Sequence, residues 1–201
     1  MRLAPLAAER WGRADRDLLR GRLAAADRYL SGRPDAPPMP GILGLLGHHP
    51  QLAANWLAFS GGLLDEPTLD PRDRELLILR VAWRTGCRYE WAQHTSMALA
   101  AGLTAEQVAA VAAVAGSADA ACWDDHQRDL LAAADQMVAA HRVDDATWER
   151  LAARFDERAL LEVLFVVGSY LCLALVLNSA GLEPDEPDEP GTPIPGSEAR
   201  P

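Results

Sequence analysis

Apolar residues recur along most of this chain at steps of three and four, and strict alternation is rare, so the pattern predicts helices throughout. In the first thirty residues Leu19, Leu23, Ala26 and Leu30 keep that spacing, with Gly12 as a break. SGRPDAPPMPG, 31–41, is a connector, because its prolines and glycines cannot sustain a helix. HHPQLAANWLAFSGGLL, 48–64, reads as a helix entered through Pro50. Its apolar side is expected on Leu52, Trp56 and Phe59, with Gly61 and Gly62 loosening its end.

LDPRDRELLILRVAWRTG, 69–86, carries its own punctuation. Asp70 is the expected N-cap, Pro71 suits the first helical position, Asp73 complements the dipole and Gly86 is the stop. Leu76, Leu79 or Arg80, and Trp83 share one side. A helix from Tyr89 to Ala101 should end at Gly102, and Thr104 with Gln107 forms a capping box for another that runs to Gly116. Asp124 to Ala140 presents Leu130, Leu131, Ala134, Met137 and Val138. Asp144 to Phe155 presents Trp148, Leu151 and Ala152, and the last helix spans Glu157 to Asn178.

The expected fold class is therefore all-α, a helical bundle with a degenerate internal repeat. RELLILRVA, 74–82, echoes RALLEVLFV, 158–166, and each leads into a helical stretch that ends in AGL. The first copy holds the chemically interesting residues and reads as the functional one; the second reads as packing. Three segments are expected: a helical arm and linker over 1–36, a helical domain over 37–182, and an acidic, proline-rich, disordered tail over 183–201.

Composition narrows the function classes. With 201 residues and 49% hydrophobic content the chain can bury one substantial core. The net charge is -10, six of the acids lie in the tail, and no Lys/Arg stripe suited to a phosphate backbone is visible, so nucleic acid is not an expected partner. Three scattered cysteines and no apolar leader favour the cytoplasm. The most apolar run, VLFVVGSYLCLALVL from Val163 to Leu177, falls short of the roughly 20 residues of a membrane span, so a buried or subunit-facing helix is expected and no membrane partner.

The candidate chemistry lies in GCRYEWAQH, 86–94. Cys87, Glu90 and His94 stand at steps of three and four, one stripe of a helix if Cys87 belongs to its first turn. A carboxylate one turn from an imidazole orients it and stabilises its charged form, as a general base requires. A helix N-terminus favours a thiolate at Cys87. The bland alternatives are a solvated Glu–His pair, a buried filler at Cys87, and surface arginines at Arg80, Arg84 and Arg88. Trp91 and Tyr89 are core aromatics or, for Trp91, part of a substrate platform. Glu75 lies twelve residues before Cys87, and spacing alone does not place it. HExxH, paired CxxC knuckles, phosphate cradles and GxSxG are all missing, so no metal or cofactor is expected.

LDPRDRELLILRVAWRTGCRYEWAQHTSMALAAGLTAEQV resembles the core motif of the carboxymuconolactone decarboxylase and alkylhydroperoxidase D-like family, and the likeness extends over roughly 40–182. In the peroxidase branch the motif is a Glu, a CxxC pair and a His four residues after the second Cys. Glu75, Cys87 and His94 match three positions, and Glu90 stands where the second thiol would be. The resemblance implies an all-α paired-helix core, a small-molecule substrate, and assembly as a homo-oligomer (dimer, trimer or hexamer) with sites near subunit contacts.

The leading expectation is cofactor-independent acid–base chemistry on a small carboxylated or carbonyl compound. His94 moves the proton, Glu90 orients it, Glu75 assists if the fold brings it close, and Cys87 lines the site. Arg84 or Arg88 would hold a substrate carboxylate. The alternatives are a hydroperoxidase that uses Cys87 with an external thiol, and an oligomeric scaffold without catalysis.

Overall fold

The computed structural model describes residues 1–112, 121–185 and 195, and they are helical, with ten α-helices and one 3-10 turn, Ala8–Arg10. The expected extension of a helix to Gly116, and most of the expected disordered tail, lie outside the described residues. The chain forms two compact units, Met1–Pro67 with Ser179–Asp185, and Thr68–Asn178.

The first unit holds α1 (Arg13–Leu19), α2 (Ala24–Leu30), α3 (Gly41–Leu46) and α4 (Pro50–Leu64). Its core is Trp11, Leu19, Ala26, Leu30, Leu43, Ala53, Ala54 and Leu57. Pro50 opens α4 and the His49 ring caps it by accepting from the Leu52 N–H at 3.3 Å. The buried face of α4 is not the expected one. Ala53, Ala54, Leu57 and Gly61 turn inward, while Leu52 and Phe59 are exposed. The reason is close approach: a Cβ at Gly61 would fall against the Arg22 carbonyl oxygen, and the small residues let the α1–α2 connection lie on the helix. Gly61 and Gly62 do not loosen the end of α4, which continues to Leu64.

The second unit is built around α5 (Pro71–Thr85), which is buried along the whole run Glu75–Ala82. Eight consecutive buried residues cover every side of a helix, so this part of α5 lies at the centre of the bundle although Glu75 and Arg80 are among them. Around it lie α6 (Arg88–Ala100), α7 (Ala105–Val111), α8 (Asp125–Ala140), α9 (Asp145–Ala152) and α10 (Glu157–Ala180). The caps are those the sequence requires. Asp70 accepts from the Arg72 N–H at 2.8 Å, and Thr104 and Asp124 each form a capping box with the glutamine three residues on. Arg80, 1% exposed, is a charge driven into the centre, held by two bonds to Asp135 at 2.6 and 2.8 Å and one to the Val111 carbonyl at 2.7 Å. On α9 only Thr147 and Leu151 are buried; Trp148 and Ala152, expected inside, face out because α9 is short and touches the core by one turn.

The last helix departs from the sequence estimate. It runs for 24 residues, Glu157–Ala180, two beyond the expected end, and although its most apolar run of fifteen was read as too short for a span, by length and composition the whole helix is long and apolar enough to cross a bilayer. Val163, Val166, Val167 and Tyr170 nevertheless pack into the core of the second unit, while Leu161, Phe165, Leu175 and Val176 are exposed.

Candidate active site

The α5–α6 hairpin makes the site. Gly86 adopts φ 66°, the Gly86 N–H bonds the Trp83 carbonyl at 3.1 Å and the Cys87 N–H bonds the Ala82 carbonyl at 2.9 Å. This closing pattern ends α5 and turns the chain at once into α6, with Cys87 as its N-cap. Packing α5 along α6 brings Glu75, early in the first helix, against His94, midway along the second. The His94 Nδ1 lies 2.7 Å from the Glu75 Oε2, and both side chains are buried or nearly so. Arg74 reaches the other oxygen of Glu75 at 3.4 Å through Nε and Nη2. With Nδ1–H donating to the carboxylate, the lone pair of His94 sits on Nε2.

Glu90 does not orient His94, as the i,i+4 spacing suggested; Glu75 does. Glu90 is 2% exposed, and neither of its oxygens has a hydrogen-bond partner of normal geometry. The Cys87 thiol, one turn back, is the polar group against it. Burial raises the Glu90 carboxyl to about 8, with the weak Cys87 contact opposing, so the group is an un-ionised acid at neutral pH. Cys87 is 1% exposed, and burial first, then the Glu90 charge, push its thiol well above the ordinary range. The helix N-terminus does not offset these effects.

Two contributors were not singled out from the sequence. Tyr170 of α10 meets the His94 ring edge-on, centroids 5.0 Å apart and planes at 89°. Burial first, and then the neighbouring Glu75 and Glu90 carboxyls, raise its phenol well above the ordinary range. Its signal was a lone phenol inside the apolar run VLFVVGSYLCLALVL, within the stretch read as packing. Arg74, the second, is simply the neighbour of Glu75.

The remaining candidates are placed elsewhere. Arg84 lies nine residues beyond Glu75, about half a turn away around α5, and its Nε is 3.7 Å from Asp135; it is not brought to the His94 pair. Arg88 is half-buried at the first position of α6. Trp91 is a core residue, packed on Trp83 with ring centroids 5.3 Å apart. A second carboxylate–imidazole pair, Asp73 with His126 Nε2 at 2.6 Å, ties α5 to α8. Among the described residues no three His, Cys, Asp or Glu side chains gather as a metal site.

Residues 50–136 match the model of the carboxymuconolactone decarboxylase family, a span that contains the hairpin and its Glu–His pair. No curated protein matches the chain. Solved structures do. An uncharacterized peroxidase-related protein from Ralstonia eutropha JMP134, solved as an alkylhydroperoxidase AhpD core, superposes with a TM-score of 0.68 at 20% identity, over 79% of this chain and 84% of its own. A peroxidase-related protein from Silicibacter sp. TM1040 gives 0.66 at 20% identity, over 74% and 78%. A putative antioxidant defence protein AhpD from Agrobacterium tumefaciens gives 0.64 at 16% identity, over 72% and 96%. The chain thus shares the all-α fold of these AhpD-like structures, and its central part matches the carboxymuconolactone decarboxylase family model. At these identities the solved relatives speak for the all-α fold and not for a reaction.

Proposed function

We propose that this protein is a member of the carboxymuconolactone decarboxylase family and a cofactor-independent acid–base enzyme acting on a small carboxylated or carbonyl compound. The observation that carries the reading is the 2.7 Å bond between Glu75 and His94 Nδ1. It fixes the tautomer and leaves Nε2 as the proton acceptor, while the Glu75 carboxylate steadies the imidazolium that forms. Un-ionised Glu90 supplies the acid of the pair: one group poised to take a proton, another still carrying one, in environments that keep them apart. Cys87 lines the interior as a thiol. Its burial and the neighbouring acid count against the single-cysteine hydroperoxidase, which needs an accessible thiolate.

The test is a turnover screen of small carbonyl and carboxylated compounds with wild type and His94→Ala, beside a peroxide assay with an external thiol. Loss of about 10²–10⁴ in turnover on removing His94 is expected. Turnover that survives in His94→Ala, or peroxide reduction that depends on Cys87, would overturn the reading.

A further inference from the structure

The helix that carries Tyr170 is tied to α5 at both ends, and the two ties share one register. Near the start of α10 the Glu162 carboxylate accepts from the Thr68 N–H at 2.7 Å and from the Leu69 N–H at 2.9 Å, just ahead of α5. Near its end the Asn178 Nδ2 donates to the carbonyl of Thr85, the last residue of α5, at 2.9 Å. Leu69 to Thr85 is sixteen residues, and so is Glu162 to Asn178. The Leu69 and Thr85 bonds therefore each join positions 93 apart. Helices tied start to start and end to end at one offset run parallel with a single axial setting. Desolvation pushes the Glu162 carboxyl up, but the bonds from Thr68 and Leu69 outweigh it, so the group lies below its ordinary value and accepts as a carboxylate.

The apolar packing between the ties does not supply that setting. There α10 presents Val163, Val166 and Val167 to the core, a run of small aliphatic side chains. Burial of apolar surface is non-directional, so it selects the inward face more firmly than the position along the axis. A slide by one residue, about 1.5 Å, would break both ties. Tyr170 stands midway, eight residues from each tie, and its ring meets His94 edge-on with centroids 5.0 Å apart. Glu75 anchors the imidazole at Nδ1 alone, and the ring can still swing about that bond. The Tyr170 ring closes one side of the swing.

Resting on the acid–base reading above for its consequence in turnover, we infer that Glu162 and Asn178 are positioning residues for His94. They act through Tyr170: the ties set where α10 stands along α5, and that sets the ring limiting the direction of Nε2. A misplacement of about 1 Å can cost on the order of 10² in rate, so the slide would reach Nε2 from ties about two turns away.

The nuclear Overhauser cross-peak between the Tyr170 and His94 rings reads this contact whether or not a substrate is known, so its failure is distinguishable from failure of the acid–base reading. It is measured in wild type, Glu162→Ala, Glu162→Gln, Asn178→Ala, the double alanine variant, and Leu161→Ala, an exposed residue of the same helix. Far-UV circular dichroism and thermal melting follow the fold. The cross-peak should be present in wild type and fall by about tenfold in the double variant if the ring moves by one residue rise, about 1.5 Å. Each single alanine variant should show a smaller loss, and these carry the comparison if the double variant does not fold. Intensity should be kept in Leu161→Ala and in Glu162→Gln, whose amide oxygen still accepts from Thr68 and Leu69. An undiminished cross-peak in variants that merely melt earlier would assign the ties to stability and overturn the inference. So would an equal loss in Leu161→Ala, a cross-peak absent from wild type, or an unchanged kcat on a substrate from the activity screen in a variant that has lost the cross-peak.

Discussion

Glu75 and His94 lie nineteen residues apart in the chain and meet at 2.7 Å across the α5–α6 hairpin. The contact depends on both arms of the hairpin, which pack on each other after Gly86 turns the chain, and on Arg74 holding the far oxygen of Glu75.

Glu75→Gln keeps the size and removes the charge. The amide can present either its oxygen or its NH₂ to Nδ1, so the tautomer is no longer fixed, and the imidazolium loses its counter-charge. Turnover should fall by about 10²–10⁴ with little change in fold, by analogy with the carboxylate-to-amide change in a catalytic triad. Nitrogen-15 NMR of His94 should show the single Nδ1–H tautomer of wild type replaced by a mixture. An unchanged spectrum and unchanged turnover would separate Glu75 from the chemistry.

Glu90 sets a pH dependence of stability whose sign follows from the direction of its shift. Its folded pKa, about 8, lies above the ordinary 4.5. Between those values the unfolded chain has released a proton that the folded protein retains, so stability falls as pH rises through that window and the loss is complete above it. The cost is on the order of a few kcal/mol. Glu90→Gln lacks this term. Urea denaturation at pH 5 and pH 8.5 should show wild type losing more stability than Glu90→Gln over that range, and parallel losses would place the Glu90 carboxyl in water.

The cysteines should separate by accessibility. Cys172 is exposed and Cys87 is buried. Iodoacetamide at pH 7.5 followed by peptide mass spectrometry should label Cys172 in the folded protein and leave Cys87 intact until denaturant is added. Rapid modification of Cys87 under native conditions would restore the thiol reading.

Two adjacent glycines of α4 should respond in opposite directions. A Cβ at Gly61 meets the Arg22 carbonyl, whereas one at Gly62 meets nothing within 4 Å. Gly61→Ala should destabilise by about 1–3 kcal/mol through overpacking, and Gly62→Ala should stabilise by about 0.5–1 kcal/mol by restricting the unfolded chain. Thermal denaturation of the two variants decides it.

The sequence by itself determined what neighbouring residues decide. Asp70, Thr104, Asp124 and Gly86 satisfy or terminate backbone groups within a few residues, so these helix starts and the α5 stop were readable, and so was the all-α class. Burial on α4 and α9 was misread from periodicity, because which stripe is covered depends on the neighbour laid over it: the Arg22 carbonyl selects Gly61 rather than Phe59. The site divides along the same line. Glu90 and His94 share a helix and could be paired on spacing, yet the bond to His94 comes from Glu75 on another helix, and the ring packed against it, that of Tyr170, comes from a third. Spacing fixes direction around one helix axis, whereas hydrogen bonds and desolvation depend on distances between axes, and only the packed bundle sets those.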